Sequence, residues 1–363
     1  MIIGSVILML PVTGICQIDI SGQRRAPQDT SRRTPRPALN RGSVLFFSSF
    51  YPVNTDPYVA YKTPMYSKEK ILFEASPEVR INFYNSIYSG LIDHRKHTEA
   101  YYLHFRPVLR MFAEDSKPVK TPSTPILLGT QHLWINYLGK NNPLKRHEFH
   151  MYALSFETGH YSNGQNGGAF TGEFTDGTPE SEAKYDEIDS KTNLSAILNR
   201  KNGNFSTNLT ELKGNIRLIR VDDDFLIRRS HTITLGETMY HNLLLGVFDV
   251  GGYSKNDIKI YGRWRTQAGY EYMCSPVSWK GKRFAISEGF EYIHGAHPWV
   301  EPLRFDTKLT FFPFPRMTDF GFAISHTWGH DNYNYRFVDH GHQVSIGLTW
   351  SIFPPFIIQP PFK

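Results

Sequence analysis

In the last third of the chain, hydrophobic and polar residues trade places one at a time. Val344, Ile346, Leu348, Trp350 and Ile352 alternate with Gln343, Ser345, Gly347, Thr349 and Ser351. A period of two puts each set on its own face of an extended strand. Upstream, Phe320, Phe322, Ile324 and Trp328 stand against Asp319, Gly321, Ser325 and Thr327, and Leu303, Phe305, Leu309 and Phe311 against Arg304, Asp306 and Lys308. Soluble antiparallel sheets alternate too. Repeated runs of about 11 residues, with aromatics on one face and charges on the other, mark strands that cross a bilayer in a closed barrel.

Read this way, the chain predicts twelve strands: 42–50, 72–88, 99–112, 126–138, 147–162, 204–220, 232–249, 257–274, 282–294, 301–313, 318–331 and 338–353. The expected fold is all-β, a transmembrane antiparallel β-barrel of about 12 strands with both ends on one side. The connectors agree. Pro313-Phe314-Pro315-Arg316 and residues 140–146 make short turns on that side, and 163–203 is a long polar loop on the other. Alternation is weakest in 42–50 and 232–249.

After the N-terminus, no stretch of about 18 apolar residues occurs, which excludes helical spans. Aromatics at 14% with a mean hydropathy of −0.39 suit a chain whose apolar band is spread over alternate positions. Residues 1–16 read as a signal peptide, with Gly14 and Cys16 as the small residues before Gln17. The bulky Ile15 argues against lipid attachment at Cys16, and removing the signal leaves only Cys274, so no internal disulfide is expected. Six arginines between Arg24 and Arg41, against the single acid Asp29, carry most of the net charge of +6. With its prolines, 17–41 reads as a disordered, solvated linker, and nucleic acid is not an expected partner. A Pro-rich extension, 354–363, follows the barrel segment 42–353.

Candidate chemistry sits where the fifth strand meets the long loop, at Gly159-His160-Tyr161-Ser162-Asn163-Gly164. His160 and Ser162 are two apart, so both leave one face, the one that carries Tyr152, Leu154 and Phe156. A serine with a histidine in reach is the smallest activated-nucleophile pair, and it needs a third group to orient the ring. On the sixth strand Leu212, Ile216 and Leu218 share the apolar face with Asn204, Ser206 and Asn208. If Phe156 pairs with Leu212, antiparallel register sets His160 opposite Asn208, a neutral amide able to accept the ring N–H.

These residues resemble the outer-membrane phospholipase A family, whose motif matches His160-Tyr161-Ser162-Asn163-Gly164 followed by Ser206-Thr207-Asn208. Outside the motif the likeness is diffuse, in strand order and in the final segment from Trp328. It implies a Ser-His-Asn triad facing the outer leaflet, with Ser162 as nucleophile, His160 as general base and Asn208 as orienting group. It further implies an oxyanion held by the Ser162 N–H and calcium-bound water, a calcium cofactor, glycerophospholipid substrates in a bacterial outer membrane, and activation as a homodimer. The interval from His160 to Asn208 is longer here than in familiar members, so the calcium loop is rebuilt. Asn204, Ser206, Asp176 and Asp186 are its candidate oxygen donors. The Glu173–Asp189 acids otherwise read as a solvated loop, Asn163 and Gly164 as loop punctuation, and His326, His330, His340 and His342 as interfacial or lumenal side chains. Two other readings stay open: a lipid A deacylase, and a non-catalytic porin or surface-scaffold barrel.

Overall fold

The computed structural model describes Val53, Gly90, Val119 and residues 56–65, 69–87, 95–113, 122–138, 148–221, 227–244, 247–249, 252–279, 281–314 and 320–350. The expected signal peptide, the linker, the strand 42–50 and the extension 354–363 lie outside the described residues.

All fourteen segments of the main sheet are antiparallel to their neighbours. They make twelve staves, because two staves are each interrupted once. Ile71–Ser76 and Val79–Asn85 form β2, and His97–Phe105 and Leu109–Phe112 form β3. One register runs through both halves, with Glu74 facing Arg110 and Arg80 facing His104. Pro77 and Pro107 therefore stand opposite each other, where neither can donate to the ladder. The remaining staves are β1 (Tyr58–Lys62), β4 (Thr124–Tyr137), β5 (Glu148–Ser162), β6 (Ser206–Val221), β7 (Ile227–His241) and β8 (Trp264–Cys274). They continue with β9 (Arg283–His294), β10 (Leu303–Phe312), β11 (Phe320–His330) and β12 (His340–Trp350). β1 pairs with both β12 and β2, which closes the barrel.

The outer wall is apolar. Ile346 is 57% exposed and Leu235 63%, and Leu154, Phe156, Leu212, Ile216 and Ile324 stand out beside them. No water-facing surface carries a belt of this extent, and hydrocarbon accepts it. Inside, charged side chains pair across the lumen. Arg110 Nε donates to Glu74 Oε2 at 2.8 Å and its Nη1 to Asp331 Oδ2 at 2.6 Å. Glu157 accepts from Tyr102 Oη at 2.8 Å and lies 3.0 Å from His104 Nδ1, and His330 meets Glu291 at 2.9 Å. A cavity of about 330 Å³ remains, with Lys213, Arg217, Glu271 and Arg304 in its lining.

Two expectations about elements need correction, and one stave falls where no strand is expected. The strand that closes the barrel is β1, a five-residue stretch between Pro57 and Pro64 too short to show periodicity. The strand expected at 232–249 starts earlier, at Ile227, and ends at His241; beyond it Leu243–Leu244 and Phe248–Asp249 form a separate small hairpin. Residues 257–263, expected within a strand, belong instead to the helix α3 (Lys255–Tyr261) and the turn after it. That helix is started by a capping box in which Ser254 and Asp257 each bond the other's backbone N–H. Its apolar residues turn inward, with Ile260 and Tyr261 buried.

The loop 163–203 also has structure. It carries α1 (Pro179–Asp186), N-capped by Thr178, and the single turn α2 (Leu194–Ile197). Ala169, Phe170, Tyr185, Leu194 and Leu198 from this segment pack with Phe205, Tyr240, Tyr261 and Phe337 into one buried cluster over the barrel end. Arg265 lies against that cluster, 3.7 Å from the centre of the Tyr240 ring and 4.8 Å from that of Phe337.

Arg110 ties β2 to the 331–339 connector through two buried carboxylates; truncating it takes the cation from Asp331, while Glu74 keeps Lys62 and Tyr58. Arg110→Ala is expected to lower stability by about 3–5 kcal/mol, read as an earlier urea midpoint in detergent. Glu74→Gln, which keeps an acceptor, is expected to cost less.

Candidate active site

β5 and β6 form one unbroken ladder from Glu148–Arg220 to Ser162–Ser206. Within it Phe156 faces Leu212 and His160 faces Asn208, the register that alternation predicts. Residues 149, 151, 153, 155, 157, 159 and 161 are buried toward the lumen, so His160 and Ser162 look outward with Tyr152, Leu154 and Phe156. Both are half-buried. The side chains of His160 and Asn208 meet, with Nδ1 to Oδ1 at 3.0 Å. An amide oxygen only accepts, so the ring donates from Nδ1 and leaves Nε2 as the basic nitrogen. Asn208 is 0% exposed, and its Nδ2 donates to the Asn242 carbonyl at 2.9 Å, which fixes which way the amide points.

Ser162 is two residues along the same face, flanked by Thr124 on β4 and Ser206 on β6. No hydrogen bond joins its hydroxyl to His160 in this structure. The spacing of roughly 7 Å between their alpha carbons is one that a rotamer change of either side chain spans.

Backbone packing sets the height of the pair. A Cβ on Gly159 would come within 2.2 Å of the Ile126 carbonyl oxygen, so β4 and β5 approach closely only because position 159 has no side chain. Behind the pair, Tyr161 turns inward. Its hydroxyl accepts from Ser123 at 2.8 Å and from the Asn334 N–H at 3.2 Å, and its ring packs edge-on against Phe205 and Tyr240. The catalytic candidates therefore stand on a solid backing.

Beyond the expected pair, Asn163, His241 and Gly252 shape the site. Asn163 is 1% exposed and closes the base of the long loop: its Nδ2 donates to Gly203 O at 2.8 Å and its Oδ1 accepts from Phe205 N at 2.9 Å. His241 pairs with Asn208 from the far side, with Nε2 3.0 Å from Thr210 Oγ1. Thr210 in turn meets Thr158 at 3.1 Å, so hydroxyls line the wall just below the candidate pair. His241 was within reach of register arithmetic had the bounds of β7 been known. Gly252, at φ +108°, lies over Ser206, where a Cβ would fall 2.4 Å from Ser206 Oγ.

The candidate calcium donors do not share one place. Ser206 lies opposite Ser162, and Asn204 precedes it by two, its N–H donating to Gly167 O. Asp176 is engaged inside the insertion, where it accepts from Ala169 N, Thr171 Oγ1 and Tyr185 Oη. Burial raises its carboxyl pKa against the pull of those bonds. Asp186 is exposed, as are Glu173, Glu180, Glu182, Glu187 and Asp189. His326 and His342 stack on the outer wall with ring centres 5.3 Å apart, and His330 is buried in the lumen.

No family model matches the chain, and no curated protein matches it. Among solved structures it is similar to outer membrane phospholipase A from Escherichia coli, at 9% identity and a TM-score of 0.42 over 87% of this chain and 100% of that one. It is similar to the Salmonella typhi outer membrane phospholipase dimer with bound calcium, at 11% and 0.42 over 84% and 93%. A Pseudomonas aeruginosa FadL homologue follows at 8% and 0.26, over 77% and 68%. The reading of the site rests on the geometry of this chain.

The cap over this rim responds to pH. Burial pushes the Asp257 carboxyl up to about 6, with Asp176 adding to the rise and the Ser254 bonds opposing it. Because an unfolded Asp titrates near ~3.9, folding favours the protonated form. This contribution is complete below about pH 4 and lost as pH rises through about 6. Amide exchange in 253–262, corrected for intrinsic rates, is expected to be faster at about pH 8 than at about pH 5, and Asp257→Asn to remove the difference.

Proposed function

We propose that the chain is an outer-membrane phospholipase A, a hydrolase that cleaves fatty-acyl esters of glycerophospholipids at the lipid-facing wall of the barrel. The observation that carries this reading is the His160–Asn208 hydrogen bond on the outward face, two residues from Ser162. A porin or scaffold has no need of a histidine held in one tautomer beside a serine at the edge of the apolar belt.

In this reading Asn208 holds the Nδ1–H, and Nε2 takes the proton of Ser162 as its oxygen attacks the acyl carbon. The tetrahedral oxyanion forms within reach of the Ser162 N–H. His160 then gives the proton to the departing glycerol oxygen, leaving an acyl-serine and a lysophospholipid. Water, deprotonated by His160, attacks the acyl-serine and releases the fatty acid. A neutral amide as third member avoids placing a full charge at the hydrocarbon boundary. The acyl chains lie along the wall formed by Leu154, Phe156 and Leu212, so no interior pocket is needed.

Calcium, where Ser206 and Asn204 hold it, would supply electrostatic stabilisation of developing negative charge. Ser206 and Asn204 are the oxygen donors beside Ser162, and both are neutral; Asp176 joins them only by giving up its bonds to Ala169, Thr171 and Tyr185. A site so poor in charge calls for calcium in roughly the millimolar range. Homodimerisation belongs to the same proposal and is read by sedimentation with and without calcium.

The test is hydrolysis of phospholipid in detergent. Ser162→Ala and His160→Ala are expected to abolish it, and Asn208→Ala to cut kcat by roughly 10- to 1,000-fold with the pH profile displaced. A sulfonyl fluoride should label Ser162. Full activity in Ser162→Ala overturns the mechanism. Activity on lipid A and not on glycerophospholipid reassigns the same triad to lipid A deacylation.

A further inference from the structure

At the opposite rim, the wall carries a second cluster that the lipase reading does not use. β3 starts at His97, and residues 97, 99 and 101 face outward while Thr98, Ala100 and Tyr102 are buried. Glu99 lies directly opposite His132 on β4, and His97 opposite Trp134, so His97 and His132 are diagonal neighbours on one face. Three potential ligand atoms converge there within 4.8 Å of one another, one from each of His97, Glu99 and His132. His97 Nε2 is 3.3 Å from His132 Nδ1, and His132 Nδ1 is 3.5 Å from Glu99 Oε2.

We infer that His97, Glu99 and His132 form a binding site for a zinc-class divalent transition metal on the outer wall. Two ligands on one tetrahedral zinc, each about 2.0–2.1 Å from the ion, stand about 3.3 Å apart. Two of the three separations match that edge and the third lies within 4.8 Å, so the ion needs only a small inward movement of His97 or Glu99. Two imidazoles and one carboxylate select zinc and its neighbours over calcium or magnesium, which take oxygen alone. The fourth position opens outward, to water or a lipid headgroup.

The outer layer of the site is also in place. Tyr101 Oη donates to Glu99 Oε2 at 3.3 Å, and Thr130 Oγ1 lies 3.4 Å from His132 Nε2, the nitrogen that stays protonated when Nδ1 binds metal. Trp134 stacks on His97 with 5.0 Å between ring centres and limits its rotation. An aromatic interfacial belt by itself accounts for Trp134 and Tyr101. It does not account for two imidazole nitrogens and a carboxylate oxygen turned toward one point. The metal would join β3 to β4, and this site depends neither on Ser162 nor on calcium.

The experiment is titration of the full-length, untagged, EDTA-washed barrel in detergent with zinc chloride by calorimetry, and with cobalt(II) by visible absorption. One equivalent of zinc and a tetrahedral cobalt spectrum are expected. His97→Ala and His132→Ala should lose both, Tyr101→Phe should weaken zinc by about tenfold, and His326→Ala should bind as the parent does. Where a histidine variant fails to show heat-modifiable migration of a folded barrel, Glu99→Gln is read instead, with loss of the cobalt spectrum expected. Absence of zinc uptake, or unchanged uptake in folded His97→Ala/His132→Ala, overturns the site and leaves an aromatic belt only.

Discussion

The pairing register between β5 and β6 is the constraint on which the candidate chemistry depends. Side chains alternate with a period of two, so a slip of β5 by one residue would turn His160 and Ser162 into the lumen and Glu157 into hydrocarbon. Two large costs oppose that slip. The apolar row Tyr152, Leu154 and Phe156 would lose its place on the outer wall, and Glu157 would lose His104 and Tyr102. Register is therefore enforced along the whole ladder, and the His160–Asn208 contact at its end inherits that precision.

The two faces of the wall serve the site in different ways. Outside, an apolar surface carries a row of hydroxyls at its upper edge, which in the proposed reading holds a lipid with its ester at the height of Ser162. Inside, Tyr161, Phe205, Tyr240 and Phe337 pack together, with the Arg265 guanidinium against Tyr240 and Phe337, and stiffen the backing. A soft wall would let the imidazole and the amide part. The insertion 163–205 belongs to this backing: Asn163 ties its two ends together at the site, and its buried residues complete the aromatic cluster.

Much of the barrel was legible because membrane strands are long and their two environments differ sharply. Eleven of the twelve expected strands correspond to staves, and the pairing of His160 with Asn208 followed from matching apolar rows. The failures have physical causes. β1 is five residues between prolines, below the length at which periodicity can be read. Ile258 and Ile260 mimic a period of two within α3, and the capping box that starts the helix is the local signal that distinguishes it from strand.

By itself the sequence determined what each residue can face: which side chains tolerate hydrocarbon, which need a charge partner, and which two strands carry a base, an alcohol and an amide on one side. That information is local, because alternation and antiparallel pairing follow from backbone geometry. Only the tertiary structure decided that Asn208 is sealed by Asn242 and His241, that Asp176 spends its oxygens inside the insertion, and that His97, Glu99 and His132 converge on one point. Those outcomes depend on closing the barrel and on loops folding back across its rim, contacts between residues tens of positions apart that no local pattern encodes.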